Sequence, residues 1–134
     1  MRQGLCHFLT AGNQPAHEVE NKASDDMEGD ALEVSMTESW RERSQGLLTL
    51  PELEKHQGLW ITPCNSVHTI GMSYSLDLIY LNRAYLIVKC VQQCVPRRIS
   101  MCWSAKSVLE VPAGTIHRLN LSPGMQMLWQ NKAL

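Results

Sequence analysis

The polar residues with the greatest chemical potential lie close together in the sequence: Cys64, Ser66, His68, Thr69 and Asp77. They stand on or beside two apolar stretches, where polar side chains require hydrogen-bond partners. One interpretation is a pocket in which Asp77 orients His68 and leaves one ring nitrogen for a ligand or for general-base work. The other interpretation is structural, with both side chains satisfying each other or the backbone beneath a turn.

Catalysis and metal binding are alternative uses of the same residues. Cys64 follows Pro63 in a loop and does not open a helix, so no helix dipole lowers its thiol pKa toward that of a nucleophile. A metal site built from Cys64, His68 and Asp77 would mix soft and hard ligands and would lack a fourth ligand at fixed spacing. We therefore predict no metal and no cofactor, and keep a hydrolase-type enzyme using Cys64 or His68 as the alternative.

Glu110 is a further candidate because it interrupts the apolar run 108–111. Strand alternation places its side chain opposite those of Leu109 and Val111. If these two point into the core, Glu110 faces solvent; otherwise its carboxylate lies on the rim of a pocket. The predicted ligand-binding set is Cys64, Ser66, His68, Thr69, Met72, Asp77 and Glu110.

The elements that position these residues are mostly short strands. Apolar or alternating stretches bounded by turn residues predict strands at 32–34, 59–61, 67–71, 76–81, 85–91, 108–111 and 125–129. Thr37 as the N-cap and Gly46 as the terminating glycine predict one helix near the start, and residues 115–119 predict a helical turn. The expected fold is mainly β (α+β), a curled antiparallel sheet or small barrel.

A β-hairpin with its turn in residues 72–75 is predicted to bring His68 and Asp77 together. In the favoured register His68 faces Ile79, so His68 and Asp77 lie diagonally on one face of the hairpin. A shift of one residue would send His68 to the other face.

Composition limits the function classes. Apolar residues make up 44% and charged residues 19% of the 134 residues, which is typical of a single globular domain. A formal charge of −1 gives no general attraction to nucleic acid or to an anionic membrane. No apolar run approaches the roughly 18 residues of a membrane span, so no membrane insertion is expected. No secretory signal is visible, which predicts a cytoplasmic protein.

The five cysteines predict neither a disulfide nor a zinc site. Five cysteines are an odd number, and Cys90 with Cys94 lack the second pair that a zinc site needs, so we expect reduced thiols without disulfides.

Residues 1–31 are predicted to be a mobile N-terminal segment, since Gly12–Asp30 is acidic and nearly free of large apolar groups. The apolar stretch Leu5–Leu9 could add an edge strand. Residues 32–134 then form the single domain.

Several blocks of the sequence resemble domain-of-unknown-function family 192. They are Arg43-x-x-Gly46-Leu47-Leu48, Gly58-Leu59-Trp60-Ile61-x-Pro63-Cys64-x-Ser66-Val67-His68-Thr69-x-Gly71-Met72, Asp77-Leu78-Ile79-Tyr80-Leu81, Leu109-Glu110-Val111-x-Ala113-Gly114 and Leu119-x-Leu121-x-x-Gly124. The resemblance implies a compact, mostly β domain with a helix near its start, found in bacteria and archaea and without an assigned activity.

Two departures from the family pattern matter. Ser73 stands where relatives often have a basic residue, and Met125 stands where they have an acidic one. An anion contact made by relatives at the first position would be lost here. The resemblance also implies export for many relatives, whereas this sequence predicts a cytoplasmic protein.

The sequence therefore predicts a non-catalytic binding or accessory domain, with a small polar cleft around His68, Thr69 and Asp77. Its partner would be a small ligand or a segment of another protein. A third class, a module that adds a partner strand at a sheet edge, also stays open.

Overall fold

The computed structural model describes residues 1–10 and 31–132, and within them the chain is mainly β. The predicted mobile segment Gly12–Asp30 lies outside the described residues, so the division of the chain near residue 31 stays a prediction. The strands are β1 Arg2–Leu9, β2 Leu32–Met36, β3 Gln57–Ile61, β4 Ser66–His68, β5 Leu76–Leu81, β6 Ile87–Cys94, β7 Ile99–Met101, β8 Ser107–Pro112 and β9 Gln126–Asn131. The helices are α1 Trp40–Gln45, the 3₁₀ helix Gly46–Thr49 and α2 Thr115–Arg118.

Seven strands form one curled sheet in the order β6-β5-β8-β3-β2-β1-β9. All neighbours pair antiparallel except β2 and β3, which are parallel. A bridge between Leu86 and Gln126 links the chain just before β6 to β9, the two edges of the sheet. This half-barrel confirms the predicted mainly β class and curled sheet.

The position of β1 differs from the sequence prediction. Residues 5–9 were expected on an edge, but β1 lies inside the sheet and pairs with β2 on one side and β9 on the other. Leu5 faces Glu33 across the first pair and Gln130 across the second. The sequence offered no means to choose the neighbours of an isolated apolar stretch.

A separate two-stranded ribbon is formed by β4 and β7, with His68 opposite Ile99 and Ser66 opposite Met101. The predicted hairpin between the His68 and Asp77 segments is therefore wrong. All six residues of β5 are buried, and both edges of β5 are occupied by β6 and β8. An inner strand of this kind has no free edge to offer to the segment that precedes it.

The first helix is shorter than predicted and uses a different cap. The hydroxyl of Ser39 accepts from the backbone N–H of Glu42 at 3.2 Å, and the Glu42 carboxylate accepts at 2.9 Å from the N–H of Glu38, the residue before the cap. Thr37, the predicted cap, is buried and accepts from the N–H of Thr62 at 3.2 Å. Gly46 ends the helix, as predicted, with a positive φ of 51°, but its ψ of −131° lies outside the left-handed helical conformation that was expected.

The two faces of the sheet carry two apolar clusters. Alternation along β5 sends Ile79 into one cluster and Leu78 and Tyr80 into the other. Both faces of the inner strands are thus covered. The second cluster packs between the sheet and the ribbon, and this is where the polar candidate residues collect.

Candidate functional site

A cavity of about 290 Å³ lies between the main sheet, β4 and the segment 43–48 that ends α1. The structure brings most of the predicted site residues to it. Those that line the cavity are Cys64, Ser66, His68, Met72 and Glu110. Thr69 and Asp77 do not line it.

Thr69 fixes the ribbon and its connection to β6. Its hydroxyl donates to the carbonyl of Val95 at 2.7 Å and accepts from the N–H of Arg98 at 2.9 Å. The Thr69 side chain is 1% exposed, so these bonds form away from water. Thr69 is well placed to hold β4 against β7, and it does not reach the cavity.

Asp77 holds the backbone together at two distant places. One carboxylate oxygen accepts from the N–H of Gln93 at 2.8 Å, where β6 bulges and leaves this N–H without a ladder partner. The other oxygen accepts from the N–H groups of Gly114 at 3.0 Å and Ile116 at 2.9 Å, at the start of α2. No hydrogen bond joins Asp77 to His68 in the described chain, and the structural interpretation of Asp77 fits this arrangement.

Glu110 is a buried carboxyl group that points to the cavity side of the sheet. Its residue is 5% exposed, and burial raises its pKa from 4.5 to about 7. No hydrogen bond reaches its side chain from any residue that the structure describes. The interpretation that Glu110 faces solvent is wrong, because β8 is an inner strand and the face that carries Val108 and Glu110 is covered.

Cys64 lies on the cavity wall as a half-buried thiol. Burial is the largest influence on its pKa and raises it; a backbone hydrogen bond of Ser66 lowers the pKa, the negative charge of Glu110 raises it and the guanidinium of Arg43 lowers it. The protonated thiol donates to the carbonyl of Ser66 at 2.9 Å. His68 is exposed and makes no hydrogen bond to Cys64 in the described residues. Within the described residues, His68 is therefore not placed to activate Cys64 as a nucleophile.

Arg43 is a charged cavity residue that sequence reasoning missed. It lies in the last turn of α1, is half-buried and lines the cavity. Among the described residues, the N-terminal amine forms ion pairs with Glu38 and Glu42, and Arg2 forms one with Glu38. Arg43 takes part in none of these pairs. The signal was available, since Arg43 opens the first of the family-like sequence blocks.

Residues 1–10 and 31–132 contain neither a metal-ligand cluster nor a helix that could span a membrane. Within these ranges no group of three or more His, Cys, Asp or Glu side chains is arranged to hold a metal ion. None of the helices described is both long and apolar enough to cross a membrane. The absence of metal, cofactor and disulfide stays a prediction from the sequence.

Comparison with known proteins supports the family resemblance and the fold. The model of the family DUF192, described as "Uncharacterized ACR", matches residues 21–129. A protein of Sinorhizobium meliloti 1021 that is provisionally described as a transcription regulator superposes with a TM-score of 0.74, covering 95% of this chain and 93% of its own at 19% identity. A protein of unknown function from Novosphingobium aromaticivorans DSM 12444 superposes with a TM-score of 0.67, covering 74% and 76% at 20% identity. No curated protein matches the chain. At such identities the superpositions show a shared fold only.

Proposed function

We propose a binding function for this chain, which belongs to domain-of-unknown-function family 192, a family that carries no named activity. The chain is a non-catalytic binding domain whose cavity takes a small zwitterionic molecule. One observation carries the proposal. Glu110 holds a buried carboxyl group at the cavity wall with no hydrogen-bond partner among the described residues.

A buried carboxyl group without a partner lowers stability, because desolvation is not offset by hydrogen bonds. Such groups are kept in proteins mainly where a ligand or the chemistry of a site uses them. The complementary group on a ligand is a hydrogen-bond donor, and an ammonium group fits best because its positive charge would also bring Glu110 back to its ionised form. The amine of the ligand is therefore assigned to Glu110.

The second polar contact comes from Arg43. Its guanidinium and the Glu110 carboxylate both act on the Cys64 thiol, with opposite effects on the thiol pKa, so groups of opposite charge lie near one thiol and line the same cavity. Arginine binds carboxylates through parallel hydrogen bonds. A molecule with an amine for Glu110 and an acidic group for Arg43 would satisfy both.

The volume and the remaining wall limit the size of this molecule. At about 290 Å³ the cavity is near the lower end of the range for small-molecule sites. The apolar part of the wall includes Ile61, Val67 and Leu76. This combination favours a compact molecule of amino-acid size with a short apolar body.

Binding of amino acids is the direct test. In a thermal-unfolding screen of the standard amino acids, we expect one or a few with short apolar side chains to raise the midpoint of the full chain, since a ligand that binds only the folded state stabilises it. Glu110→Gln is expected to weaken binding about tenfold or more, and Arg43→Gln to do the same, because each removes one charge-assisted contact.

Lys106→Gln is the matched control, because it removes an exposed cation that does not line the cavity. Its affinity should equal that of the unmodified protein. Amino acids that shift no NMR resonance of the cavity residues, or that bind equally well to the Glu110→Gln protein, would contradict the proposal.

A hydrolase-type enzyme using Cys64 or His68 is less well supported, and the thiol itself can be tested. Because burial raises the Cys64 pKa, we expect Cys64 to react with iodoacetamide at pH 7.5 more slowly than free cysteine. Peptide mass mapping over time separates Cys64 from the other thiols. Labelling of Cys64 faster than free cysteine would favour the enzyme.

A further inference from the structure

On the outer face of the β4–β7 ribbon the residues of β7 are apolar and open, while Ser66 and His68 of β4 stand opposite them. The largest exposed side chains there are Ile99 at 72%, Met101 at 40% and, just beyond β7, Trp103 at 80%. The inner face is occupied, since Val67 is buried and the hydroxyl of Tyr80 donates to that of Ser100 at 2.8 Å. The exposed residues therefore have no packing role within the described chain, and large exposed apolar groups in one place mark interaction surfaces.

The backbone of β7 also has a free edge. The N–H of Thr69 donates to the carbonyl of Arg98, and the N–H of Cys102 donates to that of Asn65. Because bonded and non-bonded pairs alternate in an antiparallel ladder, the N–H and C=O groups of Ile99 and Met101 point away from β4. The Met101 carbonyl accepts from the ammonium of Lys89 at 2.9 Å, while the groups of Ile99 have no hydrogen-bond partner in the described residues.

The charges around this edge have one sign. The stretch 87–106 contains Lys89, Arg97, Arg98 and Lys106 and no carboxylate, and the stretch 62–76, which includes β4, contains no Asp, Glu, Lys or Arg. Arg97, Arg98 and Lys106 are exposed and form no ion pair with any described residue. The surface is thus positive, although the whole chain carries a formal charge of −1.

We propose that the outer edge and face of β7 bind an extended acidic peptide segment of a partner protein by strand addition. Backbone bonds to Ile99 would extend the ribbon to three strands, alternate apolar side chains of the segment would cover Ile99 and Met101, and its carboxylates would face Arg97 and Arg98. Trp103 would supply an aromatic contact at the end of the added strand. This proposal does not depend on the ligand of the cavity.

Two other occupants fit less well. A second copy of the chain would set the same cations of both copies against each other across a two-fold axis, which like-charge repulsion opposes. An anionic membrane would match the cations and Trp103, but lipids leave the backbone groups of Ile99 unpaired. Only a peptide uses the side chains, the charges and the free edge together.

Selection from a random peptide library displayed on phage tests the proposal with the full chain as bait. We expect enrichment of peptides in which acidic residues alternate with apolar ones. Binding of an enriched synthetic peptide, measured by fluorescence anisotropy, should fall about tenfold or more in Arg98→Glu and stay within about twofold in Lys132→Glu, which changes a cation remote from the ribbon in sequence and strand order.

Ile99→Pro tests the strand pairing specifically. The N–H of Ile99 does not bond to β4, so proline can occupy this position while removing the donor that the added strand needs. We expect loss of peptide binding with an unchanged circular dichroism spectrum. If this variant fails to fold, Trp103→Ala at an exposed position replaces it, with an expected loss of about tenfold.

Three outcomes would overturn the proposal. The first is a selection without acidic and apolar enrichment. The second is a selected peptide that binds folded Ile99→Pro as well as the unmodified protein. The third is that the protein binds no peptide but sediments with phosphatidylserine vesicles, and that Trp103→Ala abolishes this sedimentation. That result would assign the surface to a membrane.

Discussion

Replacement of Asp77 by alanine is expected to lower the free energy of unfolding by about 3 to 5 kcal/mol. The Asp77 carboxylate accepts three backbone N–H bonds and is fully buried. Alanine would leave the N–H groups of Gln93, Gly114 and Ile116 without their acceptor in the interior. Urea unfolding followed by circular dichroism measures the change.

Asp77→Asn is the matched variant, because it keeps the size of the side chain and one carbonyl oxygen. We expect roughly half of the loss seen with alanine, since the remaining oxygen can still serve Gly114 and Ile116. Amide hydrogen exchange should show the loss of protection first at Gln93, whose N–H would face the NH2 group of asparagine and lose its acceptor. A loss below about 1 kcal/mol for the alanine variant would show that the three bonds do not stabilise the fold.

Replacement of Glu110 by glutamine is expected to stabilise the ligand-free protein above pH 7, by about 3 kcal/mol. The pKa of Glu110 is about 7 in the folded chain against a reference value of 4.5. Between these two values the unfolded chain releases the proton while the folded chain keeps it, so the stability of the unmodified protein falls as the pH rises through this window. Glutamine has no proton to release and avoids the penalty.

Urea unfolding at pH 4, 6 and 8 tests the sign and the window. The two proteins should have nearly the same stability at pH 4 and diverge as the pH rises toward 8. The control is Glu33→Gln, which changes an exposed carboxylate on β2 and should alter stability by no more than about 0.5 kcal/mol. Parallel stability curves for the unmodified and Glu110→Gln proteins would show that Glu110 has an ordinary environment.

The sequence predicted the elements better than their arrangement. The strand at 76–81 was placed at its observed bounds, because a run that is apolar except for Asp77 and lies between turn residues marks a strand buried on both faces. Strand β7 was not predicted, since Ile99–Met101 is short and is exposed apart from Ser100. Short exposed strands carry no apolar periodicity for sequence reasoning to detect.

Some residues that line the candidate site were predicted from the sequence and others were not, and the difference has a physical reason. Cys64, Ser66 and His68 were chosen because polar residues follow each other within an apolar stretch, and this local signal survives any change of strand pairing. The contact of His68 with Asp77 depended on register and on which strands are neighbours, and both are set by packing far away in the sequence. Arg43 was missed because it lies on a helix, and no local pattern in the sequence showed which face of that helix points toward the sheet.

The inner position of β1 has a consequence for the order in which the chain folds. Cys6 faces Trp129 across the β1–β9 pair, and such a pairing closes a loop of well over a hundred residues. Loop closure of that length costs chain entropy, whereas β5 and β6 are joined by a short connection. Folding that begins at this local hairpin and closes β1 against β9 late would be slow for a chain of this size, because rates fall as contacts become more distant in sequence. Until that closure, β1 would present an unpaired edge to other molecules, so the same strand that completes the sheet also sets the period during which the chain is exposed to aggregation.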